Sequence, residues 1–280
     1  MDSLHNTPLF VFTNVFTIKG QDATTNPYLD AFCIWFQFLR RFGQLNPTKD
    51  QIHVSIDYAS YAHLQTTTKG TNLLDGIVFH TVEQPATLRE GMALRYEAAA
   101  HLQWAWPGHS FLYLDVDALV CRPLRTLYGD GARGTLWFTT EESIASYAGG
   151  LLTPNYLAGR IVMSPNDYKE LMDMPGISSG LFGWNHPDAS YGSSFADLAT
   201  RIRTDTMNYY TVDQPYFNEF VARKLLGSKD IYHIDSSKIG INEPMSPTSP
   251  YVIMNYCGDP GNGADHLLKL EIAFMTVFNN

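Results

Sequence analysis

Two carboxylates separated by a single residue carry the clearest chemistry in this chain. Asp115-Val116-Asp117 follows the apolar run Phe111-Leu112-Tyr113-Leu114 and precedes Ala118-Leu119-Val120. Paired acids at the end of a buried strand repel each other and lose hydration, and a cation held between them relieves both costs. Oxygen-only ligation suits a hard divalent ion, Mg²⁺ or Mn²⁺, and such ions keep positions open for substrate phosphates. The plainer alternative has one Asp capping a turn and the other facing water. The apolar residues on both sides of the pair weigh against it.

The segments around that pair have the order of an α/β protein. Leu9 to Phe12 reads as a strand ending at Thr13-Asn14, a helix rich in aromatics spans about 27–42, and Gln51 to Asp57 alternates apolar and polar residues like a second strand. Gly76 to Phe79 is a third. A long helix over 86–104 repeats Met92, Tyr96 and Ala99 at helical spacing, and Phe111 to Leu114 has the continuous apolar character of a strand buried on both faces of a parallel sheet. Asp115 and Asp117 then stand at a strand's carboxyl end, where the ligands of open α/β sheets collect. The second half is less regular. Leu136 to Phe138 and Arg160 to Met163 read as strands separated by a flap containing Gly149-Gly150, and 176–192 as an irregular loop. Asp213-Gln214-Pro215 opens a helix running to about Leu225, with proline in the first turn, and Tyr251 to Tyr256 is the last strand.

Composition sets further bounds. A chain of 280 residues is near the ceiling of roughly 250–300 for a single core, so one domain over 1–280 is expected. With 45% hydrophobic and 17% charged residues, disorder is excluded as the main theme. A net charge of −9 without any Lys/Arg-rich stretch offers nothing to a nucleic-acid backbone. Cys33, Cys121 and Cys257 lie far apart with no CxxC spacing, which suits reduced thiols and excludes zinc ribbons. The apolar stretch 8–18 lacks the basic flank and cleavage site of a signal peptide, and no transmembrane segment of about eighteen apolar residues is present. A soluble, cytoplasmic protein is expected.

The apolar strand, the DxD, and the Arg122-Pro123-Leu124 and Leu127-Tyr128 that follow resemble the metal and nucleotide-sugar motif of GT-A glycosyltransferases. Later segments resemble, in order, those of the family 8 branch of glycogenin and bacterial galactosyltransferases. Ala158 to Pro165 is similar to its Asn-Ser-Gly strand segment, Asp213 to Asn218 to its "DQ…N" helix start, and Asn255-Tyr256-Cys257-Gly258 with Lys269 to its terminal "HxxG…K". The likeness runs from Leu9 to Lys269. It implies an α/β chain with the GT-A, Rossmann-like fold, a central, mostly parallel sheet flanked by helices. Residues 1–130 would be the nucleotide-binding half and 131–280 the acceptor-binding half with the C-terminal metal and diphosphate motif.

The activity so implied is metal-dependent transfer of a sugar from a nucleotide diphosphate, a UDP-sugar such as UDP-glucose, UDP-galactose or UDP-xylose, to a hydroxyl of a glycan or glycoconjugate, with retention. Asp115, Val116 and Asp117 would form the donor and metal turn, the ion stabilising charge on the departing diphosphate. Thr13, Asn14 and Asp57 would bind base and ribose, Arg95 or Arg89 the diphosphate or donor sugar, and Gly258 and Lys269 the diphosphate. Asp213 and Gln214 would face the anomeric carbon, Asp213 serving alternatively as a helix cap. Two positions depart from the family: Leu157 replaces the Asn of the middle segment, and Asn255 the His that is the third metal ligand. Either Asn255 ligates through its amide oxygen, or Asp259 or His266 substitutes, or the ion keeps an extra water.

An inverting reaction would need a carboxylate to deprotonate the acceptor, with Glu141, Glu142, Asp188 and Asp205 as candidates. Trp184, His186 and Tyr191 are candidates to stack on acceptor sugars, core packing being the alternative for each. A second enzyme class also fits in part. Phosphatases of the haloacid dehalogenase type carry DxD after an apolar strand and a later Gly-Asp…Asp, matched here by Asp115/Asp117 and by Gly258-Asp259 with Asp265. Their DxD, however, lies on the first strand, and Asp213-Gln214 would be left without a task.

Overall fold

The structure, a computed structural model, describes residues 7–127, 136–143, 164, 166, 175–206, 212–227, 231–246, 248–257 and 263–278. The chain divides into two compact units, each assembled from separated stretches: residues 1–86, 110–132 and 235–280 in one, 87–109 and 133–234 in the other.

In the first unit, strands β1 (Leu9–Val15), β2 (Gln51–Asp57), β3 (Ile77–Val82) and β4 (Ser110–Leu114) lie in the order β3-β2-β1-β4, all parallel. Every residue of β1 and β4 is buried, as their unbroken apolar character requires. Helix α1 (Pro27–Phe42) starts on the Asn26 cap with Pro27 at its first position and ends on Arg40 and Arg41, all favourable to its dipole and end groups. It buries Phe32, Trp35, Phe36, Phe38 and Leu39. Helix α2 (Tyr58–Thr67) was not foreseen. It has almost no apolar stripe, burying only Ser60 and Leu64, and Asp57 caps it.

Past β4 the chain turns at the acid pair into β5 (Ala118–Val120). That strand pairs antiparallel with β10 (Ile253–Asn255), and β10 pairs parallel with β9 (Ile239–Ile241), so a late segment of sequence lies beside the DxD turn. The C-terminal helix α6 (Gly263–Phe278) packs on α1, with Phe38 and Phe278 edge-on at 5.2 Å and the Arg41 guanidinium 4.5 Å from the Phe278 ring centre. Gly263 makes this seat possible: a Cβ there would come within 2.7 Å of Pro27 Cγ.

The second unit holds α3 (Leu88–Ala105), β6 (Leu136–Ser143), β7 (Pro175–Asn185), α4 (Tyr191–Thr204), α5 (Gln214–Gly227) and β8 (Ile231–His233), with β6 antiparallel to β7 and parallel to β8. Thr87 caps α3, its hydroxyl accepting from Glu90 N. The segment 176–192 is therefore not an irregular loop. Residues 175–185 form the longest strand of the described chain, and a helix starts at Tyr191. Glycine and serine mask a strand whose Ile177, Ser179 and Leu181 alternate inward, and Tyr191, Phe195, Leu198, Ala199 and Ile202 form the buried stripe of α4. Trp184 is wholly buried, and its indole N–H donates to Gln103 Oε1 at 2.7 Å. The strand expected at 160–163 and the Gly149-Gly150 flap lie outside the described residues. No helix among the described residues is long and apolar enough to cross a membrane.

Asn218 ties α5 to β7 as a strand would. Its Oδ1 accepts from Ile177 N at 2.8 Å, and its Nδ2 donates to the carbonyls of Ile177 at 2.9 Å and Gln214 at 2.8 Å. Replacing it with Ala strands both backbone groups of Ile177 in the core. Asn218→Ala is expected to lose about 2–4 kcal/mol of stability, read as a lower denaturant midpoint. An unchanged midpoint would show that the amide carries none of this load.

Candidate active site

The acid pair occupies a tight turn held from three sides. Ala118 N donates to Asp115 O at 3.0 Å and Tyr256 N to Asp117 O at 2.9 Å, so the backbone is pinned both within the turn and by the residue following β10. Val116 is buried between two half-buried acids. Tyr113, the next-to-last residue of β4, sets the first carboxylate: its hydroxyl hydrogen-bonds Asp115 Oδ1, and Asn14 Oδ1 lies 2.5 Å away. One phenolic proton cannot serve two acceptors. With the Asn14 amide turned so that its NH₂ donates, the bonds run from Asn14 to Tyr113 to Asp115 and each donor meets an acceptor. The second carboxylate is met by His266, whose Nδ1 lies 3.1 Å from Asp117 Oδ2.

The other expected residues of this unit divide into two groups. Asn14 belongs to the turn's hydrogen-bond chain. Thr13 is fully buried, and its hydroxyl has no partner among the described residues. Asn255 stands opposite Ala118 on the β5–β10 ladder, directly after the pair. Lys269, one turn beyond His266 on α6, donates to Asn242 Oδ1 at 3.2 Å. Asn242 adopts the left-handed conformation at φ 52°, which Asn tolerates, and its N–H donates to Asn255 O at 2.9 Å.

Asp57 has another task. Its Oδ1 accepts from Ala59 N and Ser60 N, and its Oδ2 from Thr17 N and the Ser60 hydroxyl, at 2.5–3.0 Å. Wholly buried, it joins the segment after β1 to the start of α2, with two donors on each of its oxygens. Gly258 and Asp259 lie outside the described residues.

In the second unit, the adjacent Arg95 and Tyr96 meet Asp213 from more than a hundred residues away in sequence. Tyr96 donates to Asp213 Oδ2 at 2.8 Å, and Arg95 Nη1 lies 3.4 Å from the same oxygen while donating to Ser179 O at 2.9 Å. Both charged side chains are about 95% buried. Val212, just before, holds φ at 47°, a left-handed conformation costly for a β-branched residue and of the kind that clusters at functional sites. Gln214 opens α5 and is nearly buried, while Arg89 donates to Ile202 O at 3.1 Å.

Two of the acceptor-side candidates belong to the fold. Trp184 is core, and Asp188 accepts from Ser190 N at 2.8 Å, a bond that holds its carboxyl below the usual carboxylate range. The His186 and Tyr191 rings stack on each other at 4.8 Å. Asp205 closes α4, its N–H donating to Arg201 O. Of the Glu141 and Glu142 side chains nothing is described.

No family model matches the chain, and no curated protein does. Solved structures do. WbbM, a bifunctional glycosyltransferase in its apo form, superposes with a TM-score of 0.54 at 10% identity over 96% of this chain. Mouse xyloside xylosyltransferase 1, also apo, does so with 0.53 at 13% identity over 91% of this chain and 99% of its own. The fold resembles that of GT-A-like glycosyltransferases. The chain spans half the length of WbbM.

The donor set can be tested against the divalent ion such a fold implies. Among the described residues no three His, Cys, Asp or Glu side chains already converge as a metal cage. Two carboxylates on one turn with an imidazole beside one of them instead fit an ion that completes its shell with phosphate oxygens and water. Removing the Tyr113 hydroxyl should loosen that turn. Tyr113→Phe is expected to cost about 1–2 kcal/mol in denaturant unfolding. A variant matching the parent would show that the phenol does not orient Asp115.

Proposed function

We propose that this protein is a metal-dependent glycosyltransferase that moves a sugar from a nucleotide diphosphate, a UDP-sugar, to a hydroxyl of a glycan or glycoconjugate in the cytoplasm. The observation that carries the reading is an oriented pair of acids at the carboxyl end of a buried parallel strand, in a chain whose fold resembles that of two glycosyltransferases. An acidic protein that binds an anionic diphosphate at two carboxylates needs a cation there. Asp115 and Asp117 would hold Mn²⁺ or Mg²⁺, which neutralises charge on the departing diphosphate when bound.

The remaining roles belong to the chain's own side chains. Lys269 would carry positive charge for the diphosphate from the same helix as His266, Gly258 is assigned to the diphosphate by the motif alone, and Thr13 and Asn14 lie at the strand end where the nucleoside would rest. Arg95 neutralises Asp213, and Tyr96 fixes its orientation. Asp213 is then best suited to orient Gln214, whose neutral amide meets the donor sugar with configuration retained. The phosphatase alternative gains no support, because the acids follow the fourth strand of the first unit and the structural likeness is to sugar transferases.

A thermal-shift screen of nucleotide sugars with and without Mn²⁺ tests the reading. UDP-sugars are expected to raise the melting temperature only when the ion is present, and Asp115→Asn or Asp117→Asn to abolish the shift along with slow hydrolysis of the donor. The same shift without metal, or its survival in both variants, would remove the proposal.

A further inference from the structure

Trp104, near the end of α3, is 50% exposed, whereas Trp184 of the same unit is wholly buried. Its exposure is not that of a loose side chain. A Cβ on Gly192 would come within 2.6 Å of the indole Nε1 and 2.7 Å of Cδ1, so the pyrrole edge lies against the first turn of α4, where only a glycine leaves room for it. The segment between β7 and α4 is stitched to the end of α3. Gln103 Nε2 donates to the carbonyls of His186 at 2.9 Å and Asp188 at 3.0 Å, Gly108 N to His186 O at 2.9 Å, and Asn185 Nδ2 to Gly108 O at 3.2 Å. His101, one turn earlier on α3, is exposed, and its ring meets Trp106 edge-on with centroids 6.4 Å apart. Ser193, next to Gly192, is exposed as well. A single apolar residue at a surface is ordinary. A flat ring pinned on a glycine, with an imidazole and a hydroxyl within one turn of it, is a prepared surface.

The ligand class rests on the transferase reading above, and the chemistry of the surface narrows it. The face of an indole takes the C–H face of a pyranose ring, and the hydroxyls at the sugar's rim need donors and acceptors beside it. An imidazole and a hydroxyl supply these, and neither brings the fixed positive charge that a phosphate would require. We propose that Trp104, with His101 and Ser193, forms a platform for a neutral glycan. It belongs to the second unit, whereas the acid pair belongs to the first. It holds a part of the acceptor chain that does not itself react.

The test titrates maltohexaose and chitohexaose, with glucose as the single-ring control, into the full chain without metal or nucleotide and follows the Trp104 indole signals by NMR. At least one hexasaccharide should shift these signals and show contacts between its ring C–H protons and the indole, glucose doing so far more weakly. Trp104→Ala should bind that hexasaccharide about tenfold more weakly and keep the wild-type response to UDP-sugars and Mn²⁺. Binding of neither hexasaccharide, or equal affinity in a folded Trp104→Ala, overturns the platform and leaves the transferase reading standing. Broadening of the indole signals with protein concentration alone marks the ring as a contact between copies and also overturns it. A hexasaccharide bound at Trp104 in a chain that shows no metal-dependent shift with UDP-sugars supports the platform and removes the transferase reading instead. Should Trp104→Ala fail to fold, the wild-type contacts decide alone.

Discussion

Two like charges must be kept close, partly out of water, and pointed the same way. Asp115 and Asp117 sit at the end of a strand with no exposed residue, so neither can relax its repulsion by swinging freely into solvent. Each is instead held by a different partner, Tyr113 from the strand itself and His266 from a helix near the end of the chain. Both hold their carboxylates through hydrogen bonds, so the geometry of the turn is set by the chain itself.

That requirement explains why the first unit recruits residues from so far along the chain. The strand that ends in the pair supplies the Tyr113 hydroxyl to Asp115. β10 backs the turn through β5, Tyr256 N grips the carbonyl of Asp117, and α6 brings His266 and Lys269 on one rigid axis. The close approach at Gly263 and the ring contacts of Phe278 with α1 fix that axis on the same helix that covers the parallel sheet. A packing contact at one end of α6 is thereby coupled to the placement of an imidazole at the other.

The sequence is legible where local pattern and burial agree. β1, β4 and α1 announce themselves because strands buried on both faces are continuously apolar and an aromatic helix carries its own cap and proline, and β2 because its apolar and polar residues alternate. The acid pair is readable for the same reason, its oddity lying in neighbours one and two residues away. β7 escaped because Gly180, Gly183 and two serines look like a loop, although its inward residues alternate; α4 carried a clear helical stripe that the surrounding glycines obscured. α2 has no stripe to find. The task of Asp57 could not be read, since an acid at a strand end looks the same whether it binds a ribose or caps the next helix. Only the four donors around it decide.

The pairing of Arg95 with Asp213 changes what the "DQ" segment can do. A carboxylate whose Oδ2 receives the Tyr96 hydroxyl and sits beside a buried guanidinium has that oxygen already engaged. Removing either charge would leave the other buried and uncompensated, so the pair behaves as one structural element. It anchors the first turn of α5 at the strained Val212, while Asn218 locks the following turn to β7. Gln214 is held between these two fixed points. An uncharged amide in that position can accept or donate a hydrogen bond without drawing a counter-charge of its own.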